Sequence, residues 1–213
     1  QISCPRQRSD PALNFRAPLA SPGMRIGLLG GSFNPAHEAH RQLSLLAWKR
    51  LGLDRVWWLV SPGNPLKENH SLPSVETRIA QAKTVAASPY IDVCAPEVAY
   101  RTRYTFDTLA RIAKEYPGVR FVWLMGADNL AQFHRWKRWQ EIAAMMPIAV
   151  IERPGDEDAP LSAKAAHALA RYRIDESDAA LLLSMQPPAW AYLHGLKSPL
   201  SSTSLRMKEQ RQG

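Results

Sequence analysis

The chain has 213 residues, 46% of them hydrophobic, and a formal net charge of +8. That length supports one domain with a substantial core; no apolar run reaches the ~18 residues of a membrane-crossing helix, and the first residues lack a signal-peptide core. Two cysteines far apart, Cys4 and Cys94, argue against a disulfide scaffold and fit a reducing cytoplasm, while the positive excess leaves nucleic acid, an anionic membrane or small polyanionic substrates as partner classes.

Residues 1–23 hold four prolines, three arginines and little periodicity. They read as a disordered extension, with Met24 as a natural start and residues 24–213 as a single domain. From Met24 to Arg41 the chain runs MRIGLLGGSFNPAHEAHR. Ile26 to Leu29 is a short apolar run that breaks on Gly30-Gly31-Ser32, the pattern of a buried strand entering a loop. Leu43, Leu45, Leu46 and Trp48 then favour an amphipathic helix ended by Gly52. A strand, a glycine loop and a helix N-terminus direct free backbone N–H groups and the positive end of the helix dipole at one spot, which suits a phosphate. Glycine there lets backbone approach a ligand closely. His37 and His40, three apart on the first turn, share a face and are able to donate to phosphate oxygens. The chain holds neither G-x-G-x-x-G nor G-x-x-x-x-G-K-[ST], and H-E-A-H lacks the spacing of a zinc-protease helix.

Arg55–Val60 reads as a second strand, followed by the turn-rich Ser61-Pro-Gly-Asn-Pro-Leu-Lys67. A loop at the carboxyl end of a parallel strand is where open α/β sheets bind ligands, and Lys67 is a phosphate contact to expect there. Ser74 is placed to cap a helix reaching about Ser88. Ile91–Cys94 is a short strand. Thr105 is an expected N-cap for a helix running to Tyr116, with Asp107 complementing its dipole, which makes a second helix start suited to an anion. Val119–Met125 is a fourth strand, followed by Gly126-Ala127-Asp128 and then Phe133-His-Arg-Trp136-Lys137. Trp136 and Trp139, three apart, also fit a helical core stripe. The patch Arg135 to Trp139 alternates cations and indoles, as a base-stacking surface would; a phosphate-rich substrate explains the charge equally well. Pro147–Ile151 is a fifth strand, closed by Arg153-Pro-Gly155. A helix over Leu161–Arg171 and strands at Ala179–Leu183 and Trp190–Leu193 follow. Ser198 to Arg206 opens a last helix whose hydroxyls are able to cap it or hold a further phosphate. The strand–helix alternation predicts a Rossmann-like, doubly wound parallel α/β sheet with a small C-terminal helical segment.

Gly-Gly-Ser-Phe-Asn-Pro-Ala-His-Glu-Ala-His, from Gly30 to His40, resembles the GG-[ST]-F-[DN]-P-x-H-x-G-H signature of the HxGH nucleotidyltransferases. Ser201-Ser202-Thr203-Ser204-Leu205-Arg206 resembles their late I-S-S-T-x-[IL]-R motif, with Leu200 at its first position. The bacterial nicotinate mononucleotide adenylyltransferases are the branch it resembles most, through the Tyr104-Thr105 segment, Gly126-x-Asp128-x-Leu130 and Phe133-x-x-Trp136. The resemblance covers roughly Met24 to Lys208. It implies transfer of AMP from ATP to nicotinate mononucleotide in NAD biosynthesis, in the cytoplasm, with Mg²⁺ carried on the ATP phosphates and no nucleic-acid or membrane partner. Gly30, Gly31, Ser32, Phe33, His37, His40, Asp128, Ser201, Ser202, Thr203 and Arg206 would then serve ATP and catalysis. Lys67, Thr105, Phe106, Trp136 and Lys137 would serve the mononucleotide, with the Thr105–Phe106 amides on its carboxylate and Trp136 stacked on its ring. Ala39 departs from the family glycine and is expected to crowd a nucleotide at the helix start. The rival readings are transfer to nicotinamide mononucleotide or another phosphate acceptor, a nucleic-acid-binding protein, and a regulator with a residual nucleotide pocket.

Overall fold

A computed structural model describes residues 15–63, 72–152 and 162–195. Seven strands form one parallel sheet: β1 (Arg25–Gly31), β2 (Arg55–Val60), β3 (Ile91–Cys94), β4 (Arg120–Gly126), β5 (Ile148–Ile151), β6 (Arg173–Ile174) and β7 (Trp190–Leu193), in the order β3-β2-β1-β4-β5-β7-β6. Parallel strands covered on both faces are apolar throughout, and here their two faces separate by alternation. Val56, Trp58 and Val60 of β2, Val122 and Leu124 of β4, and Ala149 and Ile151 of β5 face one core layer. Trp57 and Leu59, Trp123 and Met125, and Ile148 and Val150 face the other. Helices α1 (Glu38–Leu51) and α2 (Val75–Ala86) contribute to the first layer; α4 (Thr105–Glu115), α5 (Ala127–Phe133), α6 (Trp139–Met145) and α7 (Lys164–Ala168) contribute to the second. A short α3 (Pro96–Tyr100) precedes α4, and 3₁₀ turns span Ala170–Tyr172 and Glu176–Ser184. Among the described residues no helix is long and apolar enough to cross a membrane.

Several expectations need correction. The apolar run Ala179–Leu183 is 3₁₀ helix, not strand. Ala179, Leu182 and Leu183 are buried while Leu181 is 59% exposed, a spacing of a turn and not of a pleat. The helix expected over Leu161–Arg171 is the short α7 and a 3₁₀ turn, followed by the unanticipated β6. Arg138 is in the left-handed region at φ 59°, so the chain breaks between Trp136 and Trp139 and the two do not share a helix. The N-terminal extension is not disordered throughout. Over residues 15–23, Phe15 and Ala17 pack on the core, Ala95 N–H donates to the Phe15 carbonyl at 3.1 Å, and Tyr116 Oη–H donates to the Ala17 carbonyl at 3.2 Å. Residues 1–14, Lys67, Arg153-Pro-Gly155 and the whole of Ser198–Arg206, with Ser201, Ser202, Thr203 and Arg206, lie outside the described residues.

Candidate active site

β1 lies between β2 and β4, and the chain winds outward from it in both directions. Such a reversal opens a crevice at the carboxyl ends of the two central strands. A cavity of about 660 Å³ occupies that place, walled by the end of β1, the starts of α1 and α4, the end of β4 with α5, and Trp136-Lys137.

Gly30 and Gly31 are the last rungs of β1, in register with Leu59 and Val60, and not yet loop. The reason is internal: a Cβ on Gly30 would lie 2.5 Å from the Trp123 ring of the neighbouring strand. Gly30 therefore admits an indole, and its lack of a side chain is not left over for a ligand. The turn comes after Ser32, at Phe33, whose φ of 47° is rare for a residue with a side chain. Its ring is 2% exposed, stacked on Trp58 at 4.9 Å and tilted against His40 at 4.9 Å. Packing holds the strained turn, as strained positions at functional sites require.

His37 is the N-cap of α1 and His40 the third residue of its first turn. Their rings lie 3.9 Å apart on the cavity wall, His37 exposed and His40 half-buried. The His37 backbone N–H donates to His40 Nδ1 at 3.3 Å. With Nδ1 accepting, neutral His40 carries its proton on Nε2. Behind it, the buried Ser44 hydroxyl donates to the His40 carbonyl at 2.8 Å and accepts from Trp58 Nε1–H at 2.7 Å. The site thus places both histidines as the spacing predicts. Ala39 is half-buried and does not line the cavity, so the expected crowding does not arise from this wall.

The second helix start also meets the cavity. Thr105 is the first residue of α4, not its cap; the cap is Tyr104, and among the described residues no side chain caps it. The amides of Thr105, Phe106 and Asp107 therefore have no intrahelical acceptor. Tyr104, Thr105 and Thr108 line the cavity. The Phe106 side chain does not line it and packs 3.6 Å beneath the Arg138 guanidinium. Lys137 Nζ sits 4.2 Å over the Tyr104 ring, a cation–π contact that fixes the ammonium at the cavity wall. Trp136 lines the cavity and packs edge-on against Trp123 and Phe133, whereas Trp139 packs on Phe133 away from it. The Trp136 backbone N–H is taken by the Phe133 carbonyl at 3.0 Å and is not open to a ligand. Asp128, exposed at the start of α5, completes this side with Asn129 and Gln132.

Three side chains hold positions that no local pattern signals. Ser44 and Arg78 sit among helical residues with nothing to distinguish them from solvent-facing polar positions. Glu97, on α3, lines the cavity, and burial pushes its carboxyl up to about 7. Against Glu97 and Asp128 the wall sets Arg103, Arg135 and Lys137, a balance suited to an anionic ligand.

The sequence profile of the cytidylyltransferase-like family matches residues 28–208. A protein of Bradyrhizobium sp. (strain ORS 278) named "Probable nicotinate-nucleotide adenylyltransferase" is 59% identical over 183 residues, 86% of this chain and 95% of that protein. One of the same name from Methylorubrum extorquens is 53% identical over 185 residues, 87% of this chain and 100% of its own length. In fold, the chain is similar to the Plasmodium falciparum nicotinic acid mononucleotide adenylyltransferase complexed with NaAD, with a TM-score of 0.58, 20% identity, and coverage of 86% of this chain and 83% of that one.

Proposed function

Starting from the chain's membership of the cytidylyltransferase-like family, among its nicotinate-nucleotide adenylyltransferases, we propose that it transfers AMP from ATP to nicotinate mononucleotide, giving nicotinate adenine dinucleotide and pyrophosphate in the NAD biosynthesis of a bacterial cytoplasm. The observation that carries the reading is the meeting of two helix starts on one cavity: α1 with its histidine pair, and α4 with its uncapped amides. One suits a polyphosphate and the other a carboxylate, with the Trp136 ring on the wall near Lys137 and Tyr104.

A phosphate oxygen of the mononucleotide attacks the α-phosphorus of ATP. The new P–O bond forms as the bond to the β-phosphate oxygen breaks, and pyrophosphate leaves with that electron pair. The attacking phosphate is already anionic, so no side chain serves as nucleophile; the protein's contribution is placement and charge stabilisation. His37 and His40 Nε2–H donate to ATP phosphate oxygens as charge shifts toward the leaving group. Gly31 and Ser32 carry that phosphate chain past the strained turn, which Phe33 holds from behind. Asp128 faces ribose hydroxyls. Ser201, Ser202, Thr203 and Arg206 hold the far end of the triphosphate, and Lys67 the acceptor phosphate. The Thr105 and Phe106 amides take the carboxylate, Trp136 stacks on the ring, and Lys137 adds positive charge.

Among the described residues no group of three or more His, Cys, Asp or Glu side chains is arranged to hold a metal. The carboxylates on the cavity wall are Glu97 and Asp128, and Mg²⁺ bound through phosphate oxygens and water needs one or two carboxylates at most, so this donor set fits an ion that arrives with ATP. When bound it neutralises charge on the β- and γ-phosphates. The test is pyrophosphate release from ATP against a panel of acceptors: nicotinate mononucleotide, its amide, phosphopantetheine and a polyol phosphate. Release with the first and little with the rest supports the assignment; release only with another acceptor replaces it.

A further inference from the structure

Arg78 is 1% exposed, on the first turn of α2, and it does not line the cavity. Its Nη1 donates to the carbonyl of Ser32 at 2.6 Å and to that of Ser61 at 2.7 Å. Nη2 donates to the Pro62 carbonyl at 3.1 Å, and Nε to the Pro73 carbonyl at 3.0 Å. Ser32 follows β1; Ser61 and Pro62 follow β2; Pro73 enters α2. Ser32, Ser61 and Gly63 all line the cavity. One guanidinium therefore joins two walls of the site through their main chains. Burial lowers its proton affinity, with Glu76 opposing that shift, yet an arginine stays charged at any working pH.

A core that needs only packing does not need a buried cation, whose desolvation is costly unless its donors are satisfied. Here carbonyls satisfy it, and a carbonyl bonded to a charged donor is held more firmly than by a neutral one. The Ser61 N–H, which donates to the Gly31 carbonyl at 2.9 Å, ties the same two segments alongside it.

We propose that Arg78 is a positioning residue for the transfer. It fixes the Gly31–Phe33 turn, which carries the ATP phosphates, relative to the Ser61–Gly63 turn opposite, and so sets how the two reactants meet. The inference rests on the adenylyl-transfer reading. A misplacement of about 1 Å between reactants costs up to ~10²-fold in rate. Lysine offers one nitrogen and cannot fork to three segments.

The experiment is Arg78→Lys, with Arg78→Met beside it, using the full chain. Pyrophosphate release by the unmodified protein is measured first; if there is none with any acceptor, the adenylyl-transfer reading fails and takes the inference with it. Given activity, folded Arg78→Lys is expected to lose at least tenfold in kcat per folded molecule. Its Kd for α,β-methylene ATP and for nicotinate mononucleotide, each measured alone, should change less than threefold. A kcat within twofold of the original, or a loss that only tracks the folded fraction, overturns the inference while leaving the reaction intact. Should both variants fail to fold, hydrogen exchange on the unmodified protein decides. Amides of residues 31–34 and those of Ser61 and Gly63 opening as one unit, with the same free energy and denaturant dependence, support the latch; independent opening of the two segments overturns it.

Discussion

Trp58 and Ser44 are joined across the core: the indole Nε1–H of β2 donates to the hydroxyl of α1 at 2.7 Å. The hydroxyl donates its own proton to the His40 carbonyl at 2.8 Å. The helix start that carries the histidines is thus pinned to the central sheet by a two-bond relay buried beneath them. Ser44→Ala removes the relay without adding bulk and leaves a buried indole donor unpaired, which costs ~1–3 kcal/mol. At this chain length ~1 kcal/mol is worth about 2–4 °C, so a Tm lower by several degrees in thermal unfolding is expected. An unchanged Tm would mean that the relay contributes nothing.

His37→Ala and His40→Ala are expected to separate stability from rate. Loss of a donor preorganised for developing charge costs ~10²–10³ in kcat. His37 is exposed, so its variant should melt as the parent does; His40 also packs on Phe33 and should lose some stability. Steady-state kinetics alongside thermal melts test both, and near-parental kcat in either would remove that histidine from the chemistry.

The fold is legible where one period dominates. β1, β2 and β4 are runs buried on both faces, and Ser74 accepts from the Thr77 N–H at 3.2 Å as its position before α2 predicts. The two histidines reach one cavity because their short-range spacing sets a shared face; Trp136 reaches it as the resemblance implies, where its spacing leaves a core stripe equally open. Legibility fails where a distant partner decides. Arg78 finds its acceptors far along the chain, at Ser32, Ser61 and Pro62, and nothing local marks a polar residue on a helix as buried. The run AALLL reads as a strand because apolarity without context has no period; its burial is that of a 3₁₀ turn. Gly30 reads as room for a ligand, whereas its neighbour Trp123 lies on another strand and takes the space.

The segment 15–23 packs on the core, contrary to what its composition suggests. Deleting residues 1–23 removes the Phe15 and Ala17 packing and the bonds to Ala95 and Tyr116. Deleting 1–14 removes neither. The longer deletion should lower the Tm by several degrees relative to the shorter, at unchanged KM values. Equal melting of the two would show that this packing carries no weight.

Glu97 gives a pH dependence with a defined sign. Its folded carboxyl titrates at about 7, above the ordinary 4.5, because burial disfavours the charge. The fold therefore favours the protonated form. That contribution is fully present below 4.5 and is lost as pH rises through about 7. Glu97→Gln cannot ionise, so its Tm relative to the parent should rise between about pH 5 and pH 8. A difference that stays flat over that range would show that Glu97 ionises freely.

In the proposed reaction the uncapped start of α4 recognises a carboxylate on a pyridine ring, and the choice of substrate turns on that contact. Backbone N–H groups only donate and a carboxylate only accepts, so each donor finds a partner. An amide would turn its NH₂ toward one of them and leave a buried donor unpaired, at a cost of ~1–3 kcal/mol, with a charge-assisted bond lost as well. Trp136 stacking serves both rings alike. The most direct measurement is kcat/KM for nicotinate mononucleotide and for nicotinamide mononucleotide at fixed ATP and Mg²⁺. The acid should be preferred by at least ~10-fold to 100-fold; equal values, or preference for the amide, would contradict the assignment and take the Thr105 and Phe106 amides out of substrate recognition.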